Sequence, residues 1–230
     1  MSFNVGYVWR KTRLQASLVL FWGSAVFGLP APDALAQTVA VQEGKVIYTD
    51  GAGKDHALTQ QGLDQSATLS PDHRCIAFVR ATPARWIDVG PGKAQATEIW
   101  IVRTDGTGAH RILSGRDSDK PEQALADMAS LQFSPDGRLL YFKSKAWVTS
   151  DAVHAVDLKT GREHFVQDGN ALDLLRSGPY AGDLLVRRHK HWLGGGSYDW
   201  VWLLDPEGHE IGAVGPDDET VDKFKRVFTK

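Results

Sequence analysis

The 230-residue sequence predicts an all-β fold of repeated four-stranded antiparallel units that ends in a short helix. Three observations predict it. The stretch Leu131–Phe142 (Leu-Gln-Phe-Ser-Pro-Asp-Gly-Arg-Leu-Leu-Tyr-Phe) is a hairpin written in turn chemistry, and Ala67–Phe78 repeats it as Ala-Thr-Leu-Ser-Pro-Asp-His-Arg-Cys-Ile-Ala-Phe. Ser suits the first turn position, Pro presets φ at the second, Asp tolerates the third and Gly suits the fourth. A second kind of turn, opened by Asp50, Asp105, Asp157 and Asp205, recurs roughly every 50 residues. Finally, Val221, Phe224, Val227 and Phe228 recur at helical spacing.

The elements follow in order. Thr38–Gln42 and Lys45–Thr49 alternate about Glu43-Gly44, and His56–Thr59 is a short strand after the Asp50–Lys54 turn. The first Ser-Pro-Asp hairpin occupies Ser66–Val79. Ala81–Ala96, with Pro83, Pro91 and Gly92, is expected to be a long loop. Thr97–Arg103 is a strong strand, and Thr104–Gly108 turns the chain into His110–Leu113. Ser114–Asp127 reads as a loop with helical turns within Pro121–Met128. After the second Ser-Pro-Asp hairpin come Ala152–Leu158 and Arg162–Val166, then Leu172–Leu175, Asp183–His191, Asp199–Leu204 and His209–Val214. The tail from Asp217 opens with Asp217, Asp218 and Glu219 and ends with Lys223, Lys225 and Arg226. Those charges complement a helix dipole.

The N-terminal residues 1–36 read as a signal peptide, with a cut before Gln37. Arg10, Lys11 and Arg13 precede the apolar run Leu14–Leu29, and Ala34-Leu35-Ala36 supplies the small residues. The run is shorter than the about 20 residues of a membrane span. The remaining chain, roughly 190 residues, suffices for one domain with a core. It divides into repeats at 37–216 and an amphipathic tail at 217–230. Net charge is −2 for the whole chain and more acidic without the leader, and no basic stripe is present, which argues against nucleic acid as a partner. The single cysteine, Cys75, allows no intrachain disulfide and is expected to be a small buried hydrophobe.

Two hairpins per roughly 50 residues make four strands per unit, the grammar of a β-propeller blade rather than of a sandwich. Ser-Pro-Asp-(Gly)-x-x-apolar-x-Phe, followed by a strand such as Glu98-Ile99-Trp100-Ile101-Val102, an Asp-Gly turn and a return strand, resembles the WD-like blades of TolB-type propellers. The resemblance covers Ser66–Gly115 and Met128–Gly169 well, Ala171–Gly215 loosely and Thr38–Gly62 as a partial blade. It implies an extracytoplasmic scaffold that binds partners. It extends to the propellers of oligopeptidase-like serine hydrolases, whose hydrolase domain has no room here. The family propeller is usually six-bladed. This chain holds three blades and part of a fourth, a partial or small propeller of about four units whose first unit lacks its innermost strand.

Candidate chemistry is sparse. Arg187, His189 and His191 share one face of a strand, since strand side chains repeat every two residues. Two such histidines can ligate a metal, but no local spacing supplies a third ligand, so the face reads as a polar patch for a ligand or partner. Gly194-Gly195-Gly196-Ser197-Tyr198 lacks the strand–turn–helix setting of a nucleophile elbow, and Asp50–Asp55 lacks the alternating acids of a calcium loop. Trp100, Trp200 and Trp202 read as blade packing, whereas Trp86, Trp147 and Tyr198, in or near loops, are candidate anchors for a partner. The sequence therefore predicts a periplasmic or secreted scaffold for protein–protein interaction in the cell envelope, with no catalytic residues, metal or cofactor. A small-molecule or sugar-binding module, or a degenerate hydrolase propeller, is the alternative. An envelope protein, or a second copy meeting the terminal blades around Lys45–Thr49 and Val214, is the expected partner.

Overall fold

A computed structural model of the chain describes residues 35–90 and 92–229. The leader reading of residues 1–36 thus lies outside the described residues, apart from Leu35 and Ala36. Among the described residues the first sheet has three strands, β1 (Thr38–Gln42), β2 (Lys45–Thr49) and β3 (Asp55–Ala57). The second has β4 (Asp64–Leu69), β5 (Cys75–Asp88), β6 (Lys93–Arg103) and β7 (His110–Ser114). The third has β8 (Ala129–Phe133), β9 (Leu139–Lys145), β10 (Asp151–Asp157) and β11 (Glu163–Asp168). The fourth has β12 (Ala171–Leu174), β13 (Leu184–His191), β14 (Ser197–Leu204) and β15 (Glu210–Gly215). Every pairing is antiparallel between sequence neighbours. The helix α1 spans Asp218–Phe228.

Local chemistry accounts for the hairpins. The Asp136 carboxylate accepts from Ser134 Oγ at 2.6 Å and from Arg138 N at 3.0 Å, and Leu139 N donates to Ser134 Oγ at 2.8 Å. Asp72, Ser70, Arg74 and Cys75 repeat the arrangement one sheet earlier. Gly137 sits at φ +69°, the left-handed region that glycine enters without strain. At the other kind of turn, Asp50, Asp105, Asp157 and Asp205 each accept from the backbone N–H two residues on, an Asx turn.

The sheets stack face to face through apolar seams. Val46 and Tyr48 of the first meet Ile76, Phe78 and Val102 of the second. Ala77, Val79 and Ile99 of the second meet Leu131, Phe133, Leu140 and Phe142 of the third. Tyr141, Val153 and Val166 of the third meet Leu172, Leu184, Val186 and Leu204 of the fourth. Among the described residues no buried apolar cluster joins the first sheet to the fourth.

β1 takes the place of a second strand, not a first. Gln37 Oε1 meets His73 Nδ1 at 2.8 Å, while Asp64 N donates to Gly44 O at 2.9 Å. The start of β1 therefore lies beside the end of β4, and the two run antiparallel. The β1–β2 turn flanks the start of β4 as the β9–β10 hairpin flanks the start of β12, where Gly169 N donates to Asp151 O. The first sheet thus carries strands equivalent to the last three of the others.

Three expectations are corrected. Ala81–Ala96 is not a loop: β5 and β6 continue through it, with a register break between Ala81 and Trp86. Ile87, Val89 and Ala96 alternate inward and pack on Ala124 and Ala126, which makes the extension worth forming despite its proline. The outer face of the fourth sheet is not exposed near Val214, because α1 covers it. Val221 and Phe224 pack on Leu175, Leu185, Val201 and Leu203, and Tyr180 lies between Phe224 and Phe228. Asp217 caps the helix by accepting from Thr220 N at 2.8 Å. A Cβ on Gly178 would lie 1.8 Å from Phe228 O, so only glycine lets the end of α1 reach this corner. In the first sheet, Val46 and Tyr48 of β2 are buried while Lys45, Ile47 and Thr49 are half-buried. Cys75 is half-buried rather than buried. Desolvation, then the nearby Asp72 carboxylate, pushes its thiol pKa up, away from reactivity.

Candidate functional site

The hairpins β5–β6, β9–β10 and β13–β14 join the two middle strands of successive sheets and so point to one end of the stack. Trp86, Val148, Trp192 and Leu193 lie on them and are 60%, 83%, 56% and 110% exposed. Leu63, at the entry to β4, is exposed at the same end. The opposite end is made mostly of polar Asp and Ser-Pro-Asp turns, with Leu35 exposed beside the Asp50 turn. Exposed large apolar residues scattered singly need no explanation, but a concentration at one end marks a surface that meets something.

The β13–β14 hairpin outruns its neighbours, since β12 pairs with β13 only as far as Arg187 and β15 with β14 only as far as Val201. One face of the resulting ribbon carries Arg188, Lys190, Tyr198 and Trp200, and the other carries His189, His191, Ser197 and Asp199. Tyr198 stacks on Trp192 with ring centroids 4.2 Å apart, and Trp200 meets Tyr198 edge-on at 6.0 Å. Lys190 Nζ sits 3.7 Å above the Trp202 ring, a cation–π contact. Arg188, nine-tenths buried, bridges Asp168 and Glu210, and Lys190 also reaches Glu210 at 2.8 Å. Burial works to raise the Glu210 pKa, but Lys190 and Arg188 outweigh it and hold the carboxyl below the ordinary range. The cations here are matched by acids, which leaves the aromatic tip as the ribbon's unmatched feature.

The other anticipated residues separate. Arg187 donates to Pro216 O at 3.0 Å and to Asp218 at 2.6 Å, so it pins the start of α1 and is not free for a ligand. His189 Nδ1 lies 2.9 Å from Asp199, and its ring meets that of His191 edge-on at 5.1 Å. No group of three metal-ligating side chains occurs among the described residues. Trp147 packs edge-on against Phe165 and lines an open cavity of about 610 Å³ with Thr149, Ser150, Phe165, Glu122 and Asp168. The structure brings Trp86, Trp147, Tyr198 and His191 to one end and assigns Arg187 to the helix cap.

Sequence reasoning passed over Trp192 and Leu193, although an apolar pair directly before Gly194-Gly195-Gly196 signals an apolar hairpin tip. It also passed over His154, fully buried, whose Nδ1 is 2.7 Å from Glu163, itself bonded to Arg116 at 2.8 Å. A histidine inside the apolar run Ala152–Leu158 was the available signal. Burial tends to raise the Glu163 pKa, but bonds from His154 and Arg116 outweigh it and hold the carboxyl below its ordinary value. No imidazole among the described residues is hydrogen-bonded to a serine, threonine or cysteine side chain, the contact a nucleophile–base pair requires.

No protein-family model matches the chain, and neither does any curated protein. Solved structures do. Dipeptidyl peptidase 4 of Porphyromonas gingivalis matches with TM-score 0.53 at 12% identity over 79% of this chain and 31% of its own. The β-propeller domain of the Trilobed protease from Pyrococcus furiosus, described as having an open velcro topology, matches with TM-score 0.50 at 11% identity over 76% of this chain and 52% of its own. TolB from Acinetobacter baumannii matches with TM-score 0.48 at 16% identity over 75% of this chain and 41% of its own. At these identities the likeness is one of fold: the chain is a partial β-propeller. It spans about half the length of these structures or less.

Proposed function

We propose that this protein is an exported, non-catalytic propeller scaffold that binds a protein partner in the cell envelope through its middle-hairpin end. The observation that carries this reading is the placement of Trp86, Val148, Trp192 and Leu193 on three adjacent hairpins at that end. Tryptophans on a rigid sheet cost little entropy to immobilise, and large aromatic residues dominate protein–protein binding energy. The basic–apolar–small order of the leader supports export. The cavity beside Trp147, with Glu122 and Asp168 on its wall, supports a second reading as a small-ligand module.

The test is capture from envelope extract with the full chain and with a Trp192→Ser, Leu193→Ser variant. The wild type retains a specific partner, and the variant binds it about 30-fold more weakly or worse, as loss of a hot spot does. Equal retention by both proteins would place the partner elsewhere and overturn the assignment of this end.

A further inference from the structure

The cavity beside Trp147 has the walls of a site for an organic cation. Its volume of about 610 Å³ falls in the range of small-molecule sites. Trp147 and Phe165 form an aromatic corner, with ring planes at 74° and centroids 6.2 Å apart. Thr149 and Ser150 add hydroxyls, and Glu122 and Asp168 add carboxylates. Among the described residues its lining includes no lysine, arginine or histidine.

Three segments distant in sequence are held in place to make it. β11 carries a bulge: His154 pairs with Phe165, whereas Val153 pairs with Gln167 and Ala152 with Asp168. Phe165 and Asp168 therefore stand opposite two β10 residues of one face and share that face, which an unbroken strand would deny them. The loop after β9 is closed by Trp147 N, which donates to Ser150 O at 2.9 Å. Asn170 Nδ2 ties that loop to the end of β11 by donating to Thr149 O at 2.7 Å. Glu122 sits on the short helical turn Pro121–Gln123, which Arg116 clamps to β11 by donating to Gln123 O and to Glu163, each at 2.8 Å. Walls fixed in this way need no ordering when a ligand arrives.

Charge selects the sign of the ligand. The cations around the cavity are already matched, Arg116 by Glu163, and Arg188 and Lys190 by Asp168 and Glu210. Lys143 and Lys145 pair with Asp151 on the other face of the sheet. Glu122 has no cationic partner among the described residues. Aromatic faces carry partial negative charge, so a corner of two rings beside an unmatched carboxylate attracts a cation and repels an anion.

We propose that this cavity binds a small organic cation, an ammonium group carried on an apolar body. Glu122 and the Trp147 and Phe165 rings meet the charge, and the remaining ring surface meets the apolar body. Asp168, engaged by Arg188, is a wall of the site rather than the counter-ion. The inference rests on the small-ligand reading of this cavity and does not depend on the protein partner.

The test titrates the full-length protein, expressed in an exporting host, with three probes that share a phenyl ring: benzyltrimethylammonium, benzyl alcohol and benzoate. The readout is the indole N–H resonance of Trp147, identified by its absence from a Trp147→Phe variant. Benzyltrimethylammonium should bind about tenfold more tightly than benzyl alcohol or better, and benzoate should leave the resonance in place. Glu122→Gln should weaken binding of the cation about fivefold or more and leave that of benzyl alcohol unchanged. Benzyl alcohol or benzoate binding as tightly as the cation, or cation binding unchanged in Glu122→Gln, would overturn the proposal and leave the cavity a site for another ligand class. A Trp147 resonance unmoved by all three probes would overturn the small-ligand reading along with it.

Discussion

Phe224→Ala tests whether α1 is the cap that ends the stack. Phe224 is half-buried, packs on the apolar face of Leu175, Leu185, Val201 and Leu203, and contacts the Tyr180 and Phe228 rings at 5.9 and 4.8 Å. Truncating a fully buried phenylalanine costs about 3–5 kcal/mol, so a half-buried one should cost about 2 kcal/mol. For a domain of this size that is a fall in Tm of about 4–8 °C. The polar anchors Arg187–Asp218 and Lys225–Asp173 remain but are exposed enough to contribute little. The helix therefore loosens, and the apolar sheet face beneath it opens to solvent. Thermal unfolding followed by circular dichroism reads the first effect, and light scattering across a concentration series reads the second, as self-association absent from the wild type. A Tm within about 1 °C of wild type, with no change in association, would refute the idea that α1 seals the face.

Two further outcomes follow from the geometry. Gly137→Val should destabilise the protein by about 1–2 kcal/mol, because φ +69° is strained for a β-branched residue; an unchanged urea midpoint would count against the turn's role. Glu163→Gln should cost about 1–3 kcal/mol near pH 7 by weakening the bonds to His154 and Arg116. Because the folded Glu163 pKa lies below its ordinary value of 4.5, its contribution is present above that pH and is lost as pH falls through the folded value. The gap between wild type and variant should therefore close on acidification, and parallel stability curves from pH 7 to pH 3 would contradict this.

What the sequence by itself determined is what lies close along the chain. Ser134–Gly137 and the Asp50, Asp105, Asp157 and Asp205 turns form by contacts within five residues, so their chemistry spells out both the hairpins and the repeat. The C-terminal helix was legible for the same reason, since Asp217 and the apolar spacing from Val221 act within three turns. That the first sheet has no counterpart of the others' first strand among the described residues was also legible, because the turn types label each strand's place. Only the tertiary structure decided which hairpins project together. It turned Ala81–Ala96 from a loop into a strand extension because Ala124 and Ala126, distant in sequence, offer a surface to Ile87 and Val89. It took Arg187 out of the candidate face because Pro216 and Asp218 return to meet it. It also gave the fourth sheet's outer face a cover. Burial depends on which distant side chain arrives, and no local spacing encodes that.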